Sequence, residues 1–253
     1  CCSFRSLSAG QILFRQLTLK QIQAIAYGFF IALYYLFCYI SAMKWQSLLE
    51  LVADEPVFSS ALLLSGKLSA PQVRLQLSRW VKDGRLIRLR RGLYALAPVW
   101  RKVEPHPFLV ANRLQRGSYV STQSALAYHG MIPEYVPVVT GVGPGRPETV
   151  RNPLGAFQFN HLTLRLLFGY SQVEVAPRQF AFVASPEKAL LDLIHLTAGA
   201  DSEKYLRQLR LQNPAAFNLA AMNELAERSG KPKLIRAARL VGPLLEEERG
   251  ECL

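Results

Sequence analysis

Acidic residues and cysteines are scarce in this 253-residue chain. It has 18 Asp and Glu against 30 Lys and Arg, and three of its four cysteines lie within the first 42 residues. Cysteines so few and so placed exclude a disulfide-stapled secreted module and a four-thiolate metal site. Hydrophobic residues make up 50% of the chain, so it can bury a core and is not a disordered chain. The net charge of +12 favours an anionic partner, either nucleic acid or an acidic membrane surface.

Residues suited to catalysis are sparse as well. No Asp occurs between Asp83 and Asp192, and the chain has no Asp-x-Asp pair, which disfavours a two-metal nucleotidyltransferase or polymerase site. The four histidines are far apart, and none has a potential metal ligand three or four residues after it. We therefore expect no catalytic residues, no metal and no cofactor. We interpret the larger C-terminal part as a binding domain.

Residues 1–42 differ in composition from the rest of the chain. They contain no acidic residue, and the 23 uncharged residues from Gln21 to Met43 include the apolar run Ala24–Ile40 (AIAYGFFIALYYLFCYI). A segment of that length could cross a bilayer. Met43 begins a segment of ordinary composition, so we expect the native protein to start there and residues 1–42 to be translated upstream sequence. A membrane-anchor helix and a buried helix remain alternatives. We accordingly expect a cytoplasmic protein, anchored to a membrane only if residues 24–40 are native.

The excess positive charge is concentrated in one stretch. Because three of the 30 basic residues lie in residues 1–42, the rest of the chain has 27 basic and 18 acidic residues. The 36-residue window Lys67–Lys102 holds ten basic residues and one acid, Asp83, whereas the remainder has 17 of each sign. Charge focused in this way is typical of a nucleic-acid-binding surface.

Hydrophobic periodicity in and before this window predicts three helices. The first spans Lys44–Ala53 and the second Phe58–Leu64. The third starts after Ser69 as N-cap, with Gln72 completing a capping box, and it ends at Gly84. Its apolar face consists of Val73, Leu77, Trp80 and Val81, and its polar face of Gln72, Arg74, Gln76, Arg79 and Lys82.

After Gly84 the pattern alternates, and Leu86–Leu89 and Leu93–Leu96 predict a β-hairpin with an arginine-rich turn. Three helices followed by a basic hairpin predict a winged helix-turn-helix over residues 43–101. In such a domain the third helix enters the major groove of double-stranded DNA, and the wing contacts phosphates or the minor groove. A charged helix face is otherwise most often simply solvated. The predicted DNA-binding residues are Gln72, Arg74, Gln76, Arg79, Lys82, Arg85, Arg88, Arg90 and Arg91.

Two prolines in residues 102–107 (KVEPHP) predict a linker to a second domain at residues 107–253. This domain reads as a mixture of strands and helices with a helical C-terminal end, so the whole chain is expected to be α+β. The predicted helices are Phe108–Leu114, Thr122–His129, Pro186–Leu196, Ser202–Leu211, Leu219–Ser229 and Lys233–Val241. The predicted extended segments are Val136–Val142, Phe157–His161, Leu164–Phe168, Gln172–Val175 and Phe180–Val183, with a flexible turn at Gly141–Gly145.

Three segments together resemble the AbiEi-type antitoxins of abortive-infection systems. They are GRLIRLRRGLYAL at the hairpin, SYVSTQSALAYHGMIPE (Ser118–Glu134) and SPEKALLDLIHL (Ser185–Leu196). The resemblance runs from Met43 to about Leu240, and the family lacks a hydrophobic N-terminal extension. It implies that the winged helix binds the operon's own promoter and that the C-terminal domain counteracts a cognate nucleotidyltransferase-like toxin in phage defence.

The resemblance also implies roles for individual residues. It places DNA contacts at Gln72, Arg74, Arg79, Arg88, Arg90 and Arg91. Ser121, Ser124, Pro186, Glu187 and Asp192 match the family pattern in the C-terminal part. We interpret these five as helix caps and core residues rather than as antitoxin contacts.

Four hypotheses follow. The leading one is a bacterial DNA-binding repressor that doubles as a toxin-neutralising antitoxin. The second is a stand-alone winged-helix transcription regulator whose C-terminal domain binds a ligand or dimerises. The third is an enzyme such as a nuclease that the winged helix only targets, and the fourth is a regulator anchored to a membrane through Ala24–Ile40.

Overall fold

The computed structural model describes residues 43–65 and 69–251. The predictions for residues 1–42, including the apolar run Ala24–Ile40, lie outside the described residues. Within the described ranges, no helix combines the length and the apolar character that crossing a membrane requires. The fold of these residues is mixed α+β, as predicted, with eight α-helices and two sheets.

The N-terminal part contains two α-helices and a three-stranded antiparallel sheet. Helix α1 spans Trp45–Val52 and helix α2 spans Ala70–Lys82. The strands are arranged in the order β1-β3-β2. They are β1 (Phe58–Ser59), β2 (Leu86–Arg90) and β3 (Leu93–Leu96). The predicted first and third helices and the hairpin are therefore confirmed.

The second predicted helix, Phe58–Leu64, is wrong in its first two residues. Phe58 pairs with Tyr94 and Ser59 with Leu93, which makes them a short edge strand. Only Ser60–Ser65 is helical, and it is a 3-10 helix. The error arises because the apolar spacing fits a helix, whereas the pairing with β3 is a tertiary contact that local spacing does not show.

The C-terminal part is built on a six-stranded mixed sheet with the order β6-β7-β5-β4-β9-β8. Strands β4 and β9 are parallel, as are β5 and β7, and the other neighbours are antiparallel. The strands are β4 (Tyr119–Val120), β5 (Val138–Gly143), β6 (Glu148–Asn152), β7 (Gly155–His161), β8 (Tyr170–Ala176) and β9 (Gln179–Ala184).

Six α-helices belong to this part. Helices α3 and α4 span Pro107–Leu114 and Thr122–Tyr128, and α5 spans Pro186–Leu196. The helical C-terminal end predicted from the sequence is confirmed, with α5 and α7 at the predicted bounds. The remaining helices are α6 (Glu203–Gln208), α7 (Leu219–Ser229) and α8 (Pro232–Glu251), so α6 is shorter and α8 longer than predicted.

Two predicted segments of the C-terminal part are wrong. Leu164–Phe168 is not a strand, because Leu164–Leu166 forms a 3-10 turn in which Leu166 N–H donates to Thr163 O at 2.9 Å. Gly141–Gly143 is not a flexible turn but the buried end of β5. A Cβ at Gly143 would lie 3.0 Å from the backbone of Ser118, the residue before β4. The glycine therefore reflects a close approach of this backbone rather than mobility.

Buried side chains form two clusters, one of which joins both parts of the chain. The smaller cluster packs α1, α2 and the three-stranded sheet around Leu48, Leu77 and Trp80. The larger cluster fills the C-terminal part and also takes in Val57 and Leu89 from the N-terminal part. The segment after Arg101 is fixed as well, because Gln179 accepts the His106 N–H and donates to Glu104 O, both at 2.8 Å.

Candidate nucleic-acid interface

Helix α2 presents the longest polar face of the N-terminal part. Its start is fixed by Gln72, whose Oε1 accepts from the Ser69 N–H at 3.1 Å and from the Ser69 hydroxyl at 2.9 Å. The capping box predicted for Ser69 and Gln72 is thereby confirmed. At the other end Gly84 has a φ of +69°, a left-handed conformation that glycine adopts readily and that ends helices.

The exposed face of α2 carries the predicted contacts. Arg74, Arg79 and Lys82 are exposed, while Gln76 is half-buried. Leu75 is 50% exposed and lies one helical turn from Arg79. Among the described residues, no carboxylate pairs with these three cations.

The hairpin and α2 enclose a groove that we call the helix-hairpin groove. Its volume is about 670 Å³. Three of the predicted DNA contacts meet there, namely Arg74 from α2, Arg88 from β2 and Arg91 from the turn between β2 and β3. The other lining residues are Ser60, Ser78, Val81, Gly92 and Tyr94.

Four of the nine predicted contacts already bind groups of the protein. Gln72 caps α2 as described, and Arg74 Nε donates to Ala70 O within the same helix at 3.1 Å. The other two are Arg90 and Arg85. Arg90 Nη1 donates to Glu148 Oε1 at 2.7 Å and to Leu114 O at 2.8 Å. The half-buried guanidinium of Arg85 lies over the Trp45 ring, 5.5 Å from its centroid. The structure therefore separates the exposed cations around α2 and the turn from Arg85 and Arg90, whose side chains contact other elements of the protein.

Two of the five residues that match the family pattern in the C-terminal part, Ser121 and Asp192, contact each other in a buried polar cluster. The buried Asp192 carboxylate forms an ion pair with buried Lys188 and accepts hydroxyl hydrogen bonds from Tyr119 at 3.0 Å and Ser121 at 2.7 Å. Burial raises the pKa of Asp192, and the three donors oppose that rise. Burial, followed by the Asp192 charge, raises the pKa of Tyr119, which keeps its hydroxyl protonated as a donor.

The other pattern residues also make internal contacts. Ser124 Oγ accepts from the Thr140 N–H at 2.8 Å, and Glu187 Oε1 accepts from the Asn218 N–H at 2.8 Å. Pro186 is the first residue of α5, where a proline costs no hydrogen bond. Ser121 precedes α4, but its hydroxyl binds Asp192 rather than capping the helix. These contacts hold β4, β5, α4 and α5 together.

Sequence reasoning missed a second groove on the far side of the hairpin turn. It encloses about 820 Å³ between the hairpin, α3 and strands β8 and β9. Tyr170, Phe180 and Phe182 line it, together with Arg113 and Arg116. The one available signal was the spacing of Phe180 and Phe182, which places both on one face of a strand.

The chain matches one known protein family over part of its length. Residues 46–97 match the family model described as transcriptional regulator, AbiEi antitoxin. The resemblance to AbiEi antitoxins is thereby confirmed over this segment, which contains all nine predicted DNA contacts. No curated protein is significantly similar to the chain. Among the described residues, no group of three or more His, Cys, Asp or Glu side chains is arranged to hold a metal ion.

Proposed function

We propose that the protein is a DNA-binding transcriptional repressor of the AbiEi type, and that it also neutralises a nucleotidyltransferase-like toxin in phage defence. Residues 43–101 act as a winged helix-turn-helix, in which α2 is the recognition helix and the hairpin is the wing. The helix-hairpin groove supports this proposal best, because it brings exposed arginines from two separate elements to one surface.

Within this proposal the helix and the wing have different tasks. Arg79 on α2 reads base edges in the major groove, since arginine pairs well with guanine. Leu75 lies beside it and contacts a thymine methyl group. Arg74, Arg88 and Arg91 hold phosphates on both sides of the helix-hairpin groove, which fixes the orientation of the protein on the duplex without reading sequence.

DNA binding is tested with the DNA immediately upstream of the gene. Fluorescence anisotropy should show saturable binding of that duplex, tighter by a factor of at least about 1,000 than binding of a scrambled duplex at the same salt concentration. Equal affinity for both duplexes would contradict a repressor. A duplex from inside the gene, matched in length and base composition, serves as a further control.

The antitoxin role is tested separately, in cells. The nucleotidyltransferase-like gene we expect beside this one is expressed with and without the protein, and growth is followed. The proposal expects growth arrest by the toxin alone and recovery on co-expression. Recovery should persist in Arg79→Ala, whose DNA binding is impaired, because we place the antitoxin task in residues 107–253. We also propose that residues 102–106 separate the DNA-binding domain from the antitoxin domain.

A stand-alone regulator is the second candidate, and the second groove favours it because that groove is large enough for a small ligand. The same growth experiment separates the two candidates. If no neighbouring gene product arrests growth, or if the arrest persists on co-expression, the stand-alone regulator is the better account. Both candidates share the DNA-binding task, so the anisotropy measurement does not distinguish them.

A further inference from the structure

The second groove, which we call the aromatic groove, combines exposed rings with unpaired positive charge. Tyr170, Phe180 and Phe182 form its floor and are 41%, 47% and 43% exposed. Arg113, Arg116 and Arg91 stand at its rim. Large aromatic side chains exposed side by side on a sheet are unusual for a surface that only faces water, because each leaves apolar area hydrated.

Two of the three rings of the floor, those of Tyr170 and Phe182, contact other aromatic rings. Tyr170 stacks on buried Tyr119 with 4.3 Å between ring centroids and 15° between the planes. Phe182 meets Tyr170 edge to face at 5.9 Å, and its N–H donates to Asn112 Oδ1 at 2.6 Å. Tyr119 is itself fixed by its hydrogen bond to Asp192. Binding to a floor that is already ordered loses little side-chain entropy.

The charged residues that line the groove are all positive. Four arginines, Arg90, Arg91, Arg113 and Arg116, belong to the described residues that line it, and no acidic residue does. Arg90 is paired with Glu148, but no described carboxylate lies within salt-bridge distance of the other three. Glu174 stands opposite Phe180 on the sheet, where it accepts the Arg178 N–H at 2.8 Å.

The aromatic groove lies next to the helix-hairpin groove. Ser60, Arg91 and Gly92 line both, so the hairpin turn stands between them. A nucleic acid held at α2 therefore has a direct path past Arg91 onto the rings. The aromatic groove lacks an exposed helix that could enter a duplex groove, whereas flat rings flanked by arginines suit unpaired bases with a phosphate backbone.

We propose that the aromatic groove is a second nucleic-acid site, which binds a single-stranded segment by stacking its bases on Tyr170, Phe180 and Phe182 while Arg113 and Arg116 hold its phosphates. The site is distinct from duplex binding at α2 and does not rest on it. An acidic peptide fits the charge of the rim but would leave the exposed ring faces without a partner.

The test uses the full chain and end-labelled oligonucleotides of about ten nucleotides, oligo-dT and oligo-U, in anisotropy titrations. The double variant Phe180→Leu with Phe182→Leu should bind both oligonucleotides about tenfold or more weakly. The double variant Arg113→Gln with Arg116→Gln should also bind them more weakly, and its affinity should depend less steeply on salt concentration. Binding of the upstream duplex should be unchanged in the aromatic variant. Matched controls are Tyr135→Leu, an 88% exposed tyrosine outside the groove, and Arg239→Gln on α8.

A measurement on the unaltered protein guards against variants that fail to fold. Oligonucleotides carrying a photoreactive thio-base are crosslinked, and the modified residues are found by mass spectrometry. Crosslinks at Tyr170, Phe180 or Phe182 support the proposal. Three results would each overturn it. The first is crosslinks confined to α2 and the hairpin turn. The second is an oligonucleotide affinity that falls in the arginine variant but not in the aromatic variant, and the third is binding of an oligo-glutamate peptide in place of oligonucleotides. Loss of duplex binding in Arg79→Ala with oligonucleotide binding retained would show that the two sites are separate.

Discussion

Arg90 and Glu148 form an ion pair that ties the hairpin to the edge strand of the six-stranded sheet. The Nη1 to Oε1 distance is 2.7 Å, and the same nitrogen donates to Leu114 O at 2.8 Å. The neighbouring Arg91 is exposed and has no described carboxylate partner. Two adjacent arginines therefore have different surroundings, so we expect Arg90 to position the wing and Arg91 to bind DNA.

The first prediction concerns this pair. Because the two side chains are 45% and 29% exposed, Glu148→Gln should lower the free energy of unfolding by only about 0.5–1 kcal/mol. Arg90→Ala should lower the free energy of unfolding further, since it also removes the hydrogen bond to the Leu114 carbonyl. Urea unfolding of both variants and of the double variant gives the coupling between them. A coupling of zero would contradict a stabilising role for the ion pair.

The second prediction concerns the buried pair of Lys188 and Asp192, which are 3% and 2% exposed. Asp192→Asn leaves the Lys188 ammonium buried without a negative partner, and it should lower the free energy of unfolding by about 3–5 kcal/mol. Asp201→Asn is the matched control, because it breaks a more exposed pair with Arg236 and should lower the free energy of unfolding far less than Asp192→Asn does. Equal losses in the two variants would contradict the account of the Asp192 cluster.

The third prediction concerns pH. His106 precedes α3, and its Nδ1 accepts the Phe108 N–H at 3.2 Å, which requires an unprotonated nitrogen. Burial lowers the pKa of His106 below its ordinary value of 6.5, so the unfolded chain binds the proton more readily than the folded one. The stabilisation that His106 contributes is therefore fully present above about pH 6.5. It is lost as the pH falls towards the lower pKa that His106 has in the folded protein.

The variant His106→Asn tests that dependence, because asparagine also caps helices but does not titrate. Thermal unfolding between about pH 7.5 and about pH 5.5 should show a smaller loss of stability in the variant than in the unaltered protein. His195, whose pKa is lowered by burial and then by Lys231, Lys233 and Lys188, contributes with the same sign. The variant His195→Gln measures how much of the pH dependence of stability is due to His195. An unchanged pH profile in His106→Asn would refute the role of His106.

Local signals predicted the helices well, and pairing between distant strands explains the errors. Helix α5 was predicted at its bounds because Ser185 caps it and Pro186 begins it, and both signals lie within the helix's own sequence. Phe58–Ser59 was assigned to a helix because its partner strand is Leu93–Tyr94, more than thirty residues away. Strands β4 and β6 were missed for the same reason, since each is short and defined by its neighbours.

The candidate site was predictable in part. Alternation and charge located the exposed arginines of α2 and the hairpin, but they could not show that Arg90 meets Glu148, a contact across 58 residues of sequence. The aromatic groove was invisible to the sequence because it depends on where α3 and the hairpin pack relative to β8 and β9. Phe180 and Phe182 were recognised as strand residues, but not as exposed ones.

The most direct test of duplex binding at α2 and the hairpin is a salt titration of upstream and scrambled duplexes with Arg79→Ala, Arg91→Ala and the control Arg239→Ala. Arg79→Ala should cost about 1–3 kcal/mol on the upstream duplex and little on the scrambled one. Arg91→Ala should weaken both duplexes alike and make the slope of log K against log salt shallower by about 0.9. If Arg79→Ala and Arg91→Ala both bind as the unaltered protein does, the account is contradicted and the cluster of positive charge is a solvated surface.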